Sequence, residues 1–244
     1  QKIHPELSEP LNQDLFLTMT AFLSPQTLAD ANWVQGTEAF GMFLDTGKIP
    51  LIKTNGKNWG LPAQRQAMGL LQHLVDDMTL PGAMEWLKTP HTGREMAEIR
   101  RDSGMYAAAK SLSGNLPDEM RVDEVTMGAY MFGPKVGDFF MNVTGIDQEA
   151  VTVDIWIARQ YNRLIGRLLD TKESLKGKEI QSDVRNRGER DHIKNLIRDL
   201  AGMKGIQPSA AQAVLWYYEQ RLFDGYGVKS KSTSFSEGAD KAFA

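Results

Sequence analysis

Apolar residues recur at helical spacing in one segment after another, and no convincing segment alternates with the period of a strand. The chain therefore has to bury helix faces against one another. Leu11 to Leu23 carries apolar residues at 15, 16, 17, 19, 22 and 23, dense enough for a buried helix. Ser24-Pro25 has the form of a helix start, Ser as N-cap and Pro in the first turn, for a segment reaching about Leu44. Gly47 to Gly60 reads as a loop with a short extended piece, a candidate substrate-facing loop. Pro62 opens an amphipathic helix through Met78, and a short helix from Leu80 to Leu87 follows Thr79. Thr92 or Thr89 can cap a helix running to about Leu112, interrupted near Ser103-Gly104. Helical segments Asp118 to Met131 and Lys135 to Val143 flank a Gly-Pro break, and Val151 to Leu169 reads as the longest apolar-periodic helix. Asp183 to Met203 and Ser209 to Phe223 complete the core, so the expected class is all-α.

With 244 residues, 41% of them hydrophobic, the chain can bury a full core. Residues 1–223 read as a single helical unit of two lobes, and 224–244 as a Ser-rich C-terminal tail expected to be mobile unless docked. No apolar run approaches the ~20 residues that cross a bilayer, and the N-terminus lacks a basic-then-apolar signal pattern. No membrane partner is expected, and the cytoplasm is the default compartment. The absence of Cys excludes disulfides, thiolate zinc and an iron-sulfur cluster. His4, His73, His91 and His192 are scattered and no Asp/Glu cluster has ligand spacing, so no metal site is expected. The net charge of −3 argues mildly against a nucleic-acid binder. Arg159 to Lys204, however, holds twelve Lys and Arg against seven Asp and Glu. That excess is either a helical face laced with ion pairs or a surface for an anion.

Chemistry concentrates at Phe132-Gly133-Pro134-Lys135-Val136-Gly137 and at Val153-Asp154, where the aspartate follows the lysine by nineteen positions. Gly133 can turn the backbone, and the free N–H groups from Lys135 to Gly137 at the next helix start form an anion site suited to phosphate. An ordinary helix-helix turn is the alternative. Lys135 is either a solvated, snorkelling lysine or an amine nucleophile. Asp154 is either a helix N-cap or a charge for proton transfer, and the two roles are compatible.

Four separated stretches resemble the helix-hairpin-helix DNA glycosylase superfamily that includes endonuclease III and 8-oxoguanine DNA glycosylase. Leu23-Ser24-Pro25-Gln26-Thr27 is similar to its early Leu-Ser-x-Gln-x-(Thr/Ser) helix start. Phe132 to Gly137 resembles its Gly-x-Gly-x-Lys-(Thr/Val)-Ala hairpin, with Met131 in place of the first glycine. Val153-Asp154, followed by Arg159, Asn162 and Arg163, resembles its Val-Asp helix, and Ala211-Gln212-Ala213-Val214-Leu215-Trp216 the last core helix of the 8-oxoguanine branch.

The resemblance implies a two-lobed helical fold with the active site in the cleft between lobes, and a monomer acting on double-stranded DNA. It implies that Lys135 attacks C1′ of a flipped nucleotide, expels the base and nicks the strand by β-elimination, with Asp154 stabilising the cationic sugar. Gly133, Val136 and Gly137 would hold a DNA phosphate, and Gln26 would sit near the gap left by the flipped base. Gln212 and Trp216 would line the base pocket, with Trp156 standing where the branch has histidine. It also implies a monovalent cation on the hairpin backbone, at a site that Met131 alters. Two further readings stand beside it. Viral relatives of the fold exchange or process hypermodified bases, which would make the chain phage-encoded rather than nucleoid-associated. The other is a noncatalytic hairpin DNA-binding protein.

Overall fold

The computed structural model describes residues 5–25, 27, 29–106, 109–117, 119–170, 179–180 and 183–227. Eight α-helices carry most of these residues, joined by short 3-10 turns and two antiparallel two-stranded pairings. The described chain is mostly helical. It falls into two compact units, one up to Ile146 and the other from Asp147.

In the first unit, helix α1 (Pro10–Phe22) buries Leu15, Phe16, Met19 and Phe22. It packs on α2 (Ala29–Thr46), α3 (Pro62–Lys88) and α5 (Pro134–Thr144). Phe16 meets Trp33 and Phe40 edge to face, with centroids 5.2 and 5.8 Å apart. α2 begins at Ala29 and not at Ser24-Pro25. The buried Ser24 hydroxyl caps nothing and has no hydrogen-bond partner. The segment is tied down instead by Gln64, whose Nε2 donates to the Leu23 carbonyl and to Thr27 Oγ1, both at 2.7 Å. Gly47 to Gly60 is a loop with one extended bridge, Ile52 to Asn58, anchored by the buried Trp59, whose Nε1 donates to the Pro50 carbonyl at 2.9 Å. α3 is two helical segments meeting at a kink at Thr79 (φ 66°, ψ 165°), two residues before Pro81, as the sequence suggested.

Thr92 caps α4 (Gly93–Asp102) in a capping box with Glu95. α4 stops at Asp102 rather than near Leu112, because Gly104 takes φ 66° and turns the chain. Residues 119–131 are not the expected helix, and Asp118 lies outside the described residues. Val125–Met127 (β2) pairs antiparallel with Pro90–Thr92 (β1), and a 3-10 helix follows over Gly128–Phe132. Gly128 lies so close to Trp86 that an added Cβ would come within 2.4 Å of its carbonyl oxygen. A long-range pairing decides this stretch, which helical spacing alone could not reveal.

In the second unit, α6 (Ile155–Leu164), α7 (Arg187–Lys204) and α8 (Pro208–Gly225) surround a core of Val151, Val153, Ile157, Ile193, Ile197, Ala201 and Ala211. Leu169–Asp170 (β3) pairs with Glu179–Ile180 (β4). α6 has ten residues instead of the expected run from Val151 to Leu169. Val151 and Val153 are buried in extended chain before it, and Gly166 (φ 72°) ends the turn after it. α8 continues two residues past Phe223, into the stretch read as a tail, and residues 228–244 lie outside the described residues.

Candidate functional site

The hairpin is built from a 3-10 helix, one glycine and an α-helix start, so its first arm is not the α-helix expected from the sequence. Gly133 adopts φ 103° and ψ 159°, a region closed to side chains with a Cβ, although a Cβ there would meet no neighbour. Its own amide donates to the Tyr130 carbonyl at 2.9 Å, closing the turn. Pro134 then fixes the first helical position of α5. The amides of Lys135 and Val136 have no acceptor among the described residues, which leaves two donors and the positive end of the helix dipole together. The Gly137 amide is not part of that set, because it donates to the Gly133 carbonyl at 2.9 Å. Gly137 is instead required by packing, since a Cβ would come within 2.5 Å of the Tyr130 ring. Lys135 is half-buried, and no ion pair engages its ammonium among the described residues.

Three fastenings hold this turn. Phe132 stacks on Phe22 of α1, centroids 3.7 Å apart. Tyr130 crosses to α5, its hydroxyl donating to Asp138 Oδ1 at 2.8 Å, where Asp138 is 1% exposed. Arg100 of α4 donates from Nη1 to the Met131 carbonyl and from Nε to the Asn115 carbonyl, both at 2.6 Å. A monovalent cation at the Met131 side of the hairpin would therefore stand beside a fixed guanidinium. Two unit charges ~4 Å apart repel by ~4 kcal/mol at an effective dielectric constant of ~20, so the residues here do not fit that ion. Among the described residues no group of three or more His, Asp or Glu could hold a metal ion.

Asp154, in the second unit, caps α6. Its Oδ1 accepts from the amides of Trp156 (3.0 Å) and Ile157 (3.1 Å), and its Oδ2 accepts from Trp216 Nε1 at 2.6 Å. Trp216 thus fixes the carboxylate across from α8, a link that sequence spacing did not suggest. Gln212 lies one turn before Trp216 on α8 and is partly exposed. Trp156 is 7% exposed and packs edge to face on Phe223 at 5.6 Å. The Arg159 guanidinium lies 4.6 Å from the Trp156 ring centroid and 5.5 Å from that of Phe223. Burial pulls Arg159 below the usual arginine range, against the opposing pull of Asp154 and Glu219. Gln26 lies outside the described residues.

Among the described residues, four arginines of the basic stretch from Arg159 to Lys204 are engaged inside their own unit. Arg163 makes a two-pronged pair with Glu219 (2.7 Å at its shortest), whose side chain is fully buried, and this bond raises the Arg163 pKa further. Arg167 pairs with Glu189 at 2.7 Å and with Asn162 Oδ1, while Arg190 reaches the Val153 carbonyl and Arg198 the Glu149 carbonyl. Of these four arginines Arg163 and Arg167 are ion-paired and Arg190 and Arg198 bind backbone carbonyls, and no single sequence window could have named their partners.

Residues 65–221 match the family described as "Family of unknown function (DUF7178)", well over half of the chain, and the chain belongs to that family. No curated protein and no solved structure matches it. Among the described residues no helix is long and apolar enough to cross a membrane.

Proposed function

We propose that the chain is a DNA base-excision glycosylase with AP lyase activity, on the two-lobed helical fold of the helix-hairpin-helix superfamily. The hairpin carries this assignment: a glycine at φ 103° delivers to a helix start the amides of Lys135 and Val136, which have no acceptor among the described residues, and the lysine beside them is held in no ion pair there. A DNA phosphate fits those two amides, and a backbone so seated brings sugar chemistry within reach of Lys135.

In the proposed reaction the neutral Lys135 amine forms a bond to C1′ as the bond from C1′ to the base breaks, the base leaving with the glycosidic electron pair and taking up a proton. The nitrogen then loses one proton, and the C1′–O4′ bond breaks, O4′ taking up a proton, as the nitrogen with its remaining hydrogen forms the C1′=N bond of an iminium. Removal of a C2′ proton expels the 3′ phosphate, and water releases the sugar from the lysine. Asp154 is assigned the carboxylate that stabilises the cationic sugar. The three groups hydrogen-bonded to it are uncharged N–H donors, and the cation its charge acts on is the Arg159 guanidinium.

Borohydride reduction of a mixture with a duplex carrying one abasic site tests the assignment. A covalent protein–DNA adduct is expected with the wild type and none with Lys135→Gln, a substitution that removes no side-chain hydrogen bond or ion pair among the described residues. No adduct with the wild type, or an equal one with Lys135→Gln, sinks the lyase assignment.

A further inference from the structure

Arg100 meets the hairpin from behind. It is 9% exposed, one prong of its fork on the Met131 carbonyl and another on the Asn115 carbonyl, with its Cζ 3.6 Å from the Tyr106 ring centroid. The Met131 carbonyl lies in the last turn of the 3-10 helix, where the chain reverses at Gly133 and carbonyls are left without helical donors. Partial negative charge gathers there, just as partial positive charge gathers at the start of α5. A guanidinium is suited to both needs: it donates along a rigid fork and keeps its charge at every pH at which the chain folds.

We propose that Arg100 is the positioning residue of the hairpin, a resident cation of the chain itself that occupies the role a bound metal ion would otherwise fill. Resting on the function proposed above, this explains how the turn keeps the Lys135 and Val136 amides in register without an exchangeable ion. The bond to Met131 ties the 3-10 arm to α4, and the bond to Asn115 stops the guanidinium from following a moving hairpin. Burial of the fork makes both bonds stronger than they would be in water. Tyr106 closes the flat face of the guanidinium, so its remaining freedom is small.

The test is amide hydrogen exchange at Gly133 and Gly137, whose N–H groups both lie in the turn's hydrogen bonds. In Arg100→Met, exchange there is expected to quicken about tenfold or more while the buried amides of α7 keep their protection, and millimolar guanidinium is expected to restore it. In the wild type, replacing potassium by tetramethylammonium at constant ionic strength is expected to change neither this exchange nor affinity for a short abasic duplex. Unchanged protection in Arg100→Met overturns the proposal. So does wild-type protection that drops when the metal ion is withdrawn, an arm that needs no variant to fold. A wild type that binds no DNA removes the proposed function but leaves the exchange result to decide on Arg100.

Discussion

Asp154 caps α6, and the function proposed above gives the same carboxylate a part in the chemistry. Its cap on α6 is local and legible in Thr152-Val153-Asp154, whereas its bond to Trp216 joins residues 62 positions apart and is not. Asp154→Ala removes all three bonds and is expected to cost about 1–2 kcal/mol as a lost cap, plus about 1 kcal/mol for the orphaned indole N–H. Asp154→Asn keeps an Oδ1 for the two amides and loses only the bond from Trp216, so its unfolding free energy should lie within about 1 kcal/mol of wild type. If the charge is what matters, Asp154→Asn folds yet traps little DNA under borohydride; full trapping would confine the residue to capping. Glu189 gives a prediction of a different kind. Hydrogen bonds from Arg167, and then from the Arg185 amide, hold its carboxyl below the usual glutamate range, with burial opposing. A depressed folded pKa adds stability above the ordinary value of about 4.3 and loses it as pH falls through the lowered one. Thermal melts of wild type and Glu189→Gln should therefore differ at neutral pH and converge as the solution is acidified below about pH 4.

Elements were legible where local periodicity decides them and illegible where partners do. The faces of α1, α3 and α8 follow from apolar spacing, and Thr92 announces α4 through its capping box. The 118–131 stretch carries enough apolar residues to pass for a helix, yet β1 claims Val125–Met127, and no property of the stretch itself names that partner. α6 is short for a related reason: Val151 and Val153 are better buried as extended chain against α7 than as another helical turn. At the break in α3 the backbone opposes its residue, as it also does at Glu119 (φ 75°). Thr79 sits exposed at φ 66° and ψ 165°, a region that β-branched residues avoid at a cost on the order of 1–3 kcal/mol. Thr79→Gly removes that strain while loosening the unfolded chain, so a net gain of about 1 kcal/mol is expected in denaturant unfolding. A loss would mean that the Thr79 side chain is itself holding the break.

Across the whole molecule, charge is distributed against a simple electrostatic clamp on DNA. The chain is net negative at −3, and Arg163, Arg167, Arg190 and Arg198 are engaged with Glu219, Glu189, Asn162 and backbone carbonyls. Gly47 to Gly60 is different: it holds Lys48, Lys53 and Lys57 with no carboxylate of its own, on a turn stiffened by Trp59. Lys48 and Lys57 are exposed, whereas Lys53 leans towards the Trp59 ring, 5.7 Å from its centroid. Each phosphate neutralised contributes about −0.9 to the slope of log affinity against log salt, so a binder with two or three such contacts shows a slope of only about −2 to −3. In the Lys135→Gln background, which binds without turning over, titration of an abasic duplex by fluorescence anisotropy should give a slope of that shallow size. Changing both Lys48 and Lys57 to Gln should flatten it by about 1.8, while weakening affinity for matched and abasic duplexes alike, because lysine–phosphate contacts carry no base information. An unchanged slope would remove the loop from the DNA path. A steep one, beyond about −5, would mean that arginines now engaged within the second unit are released when DNA binds.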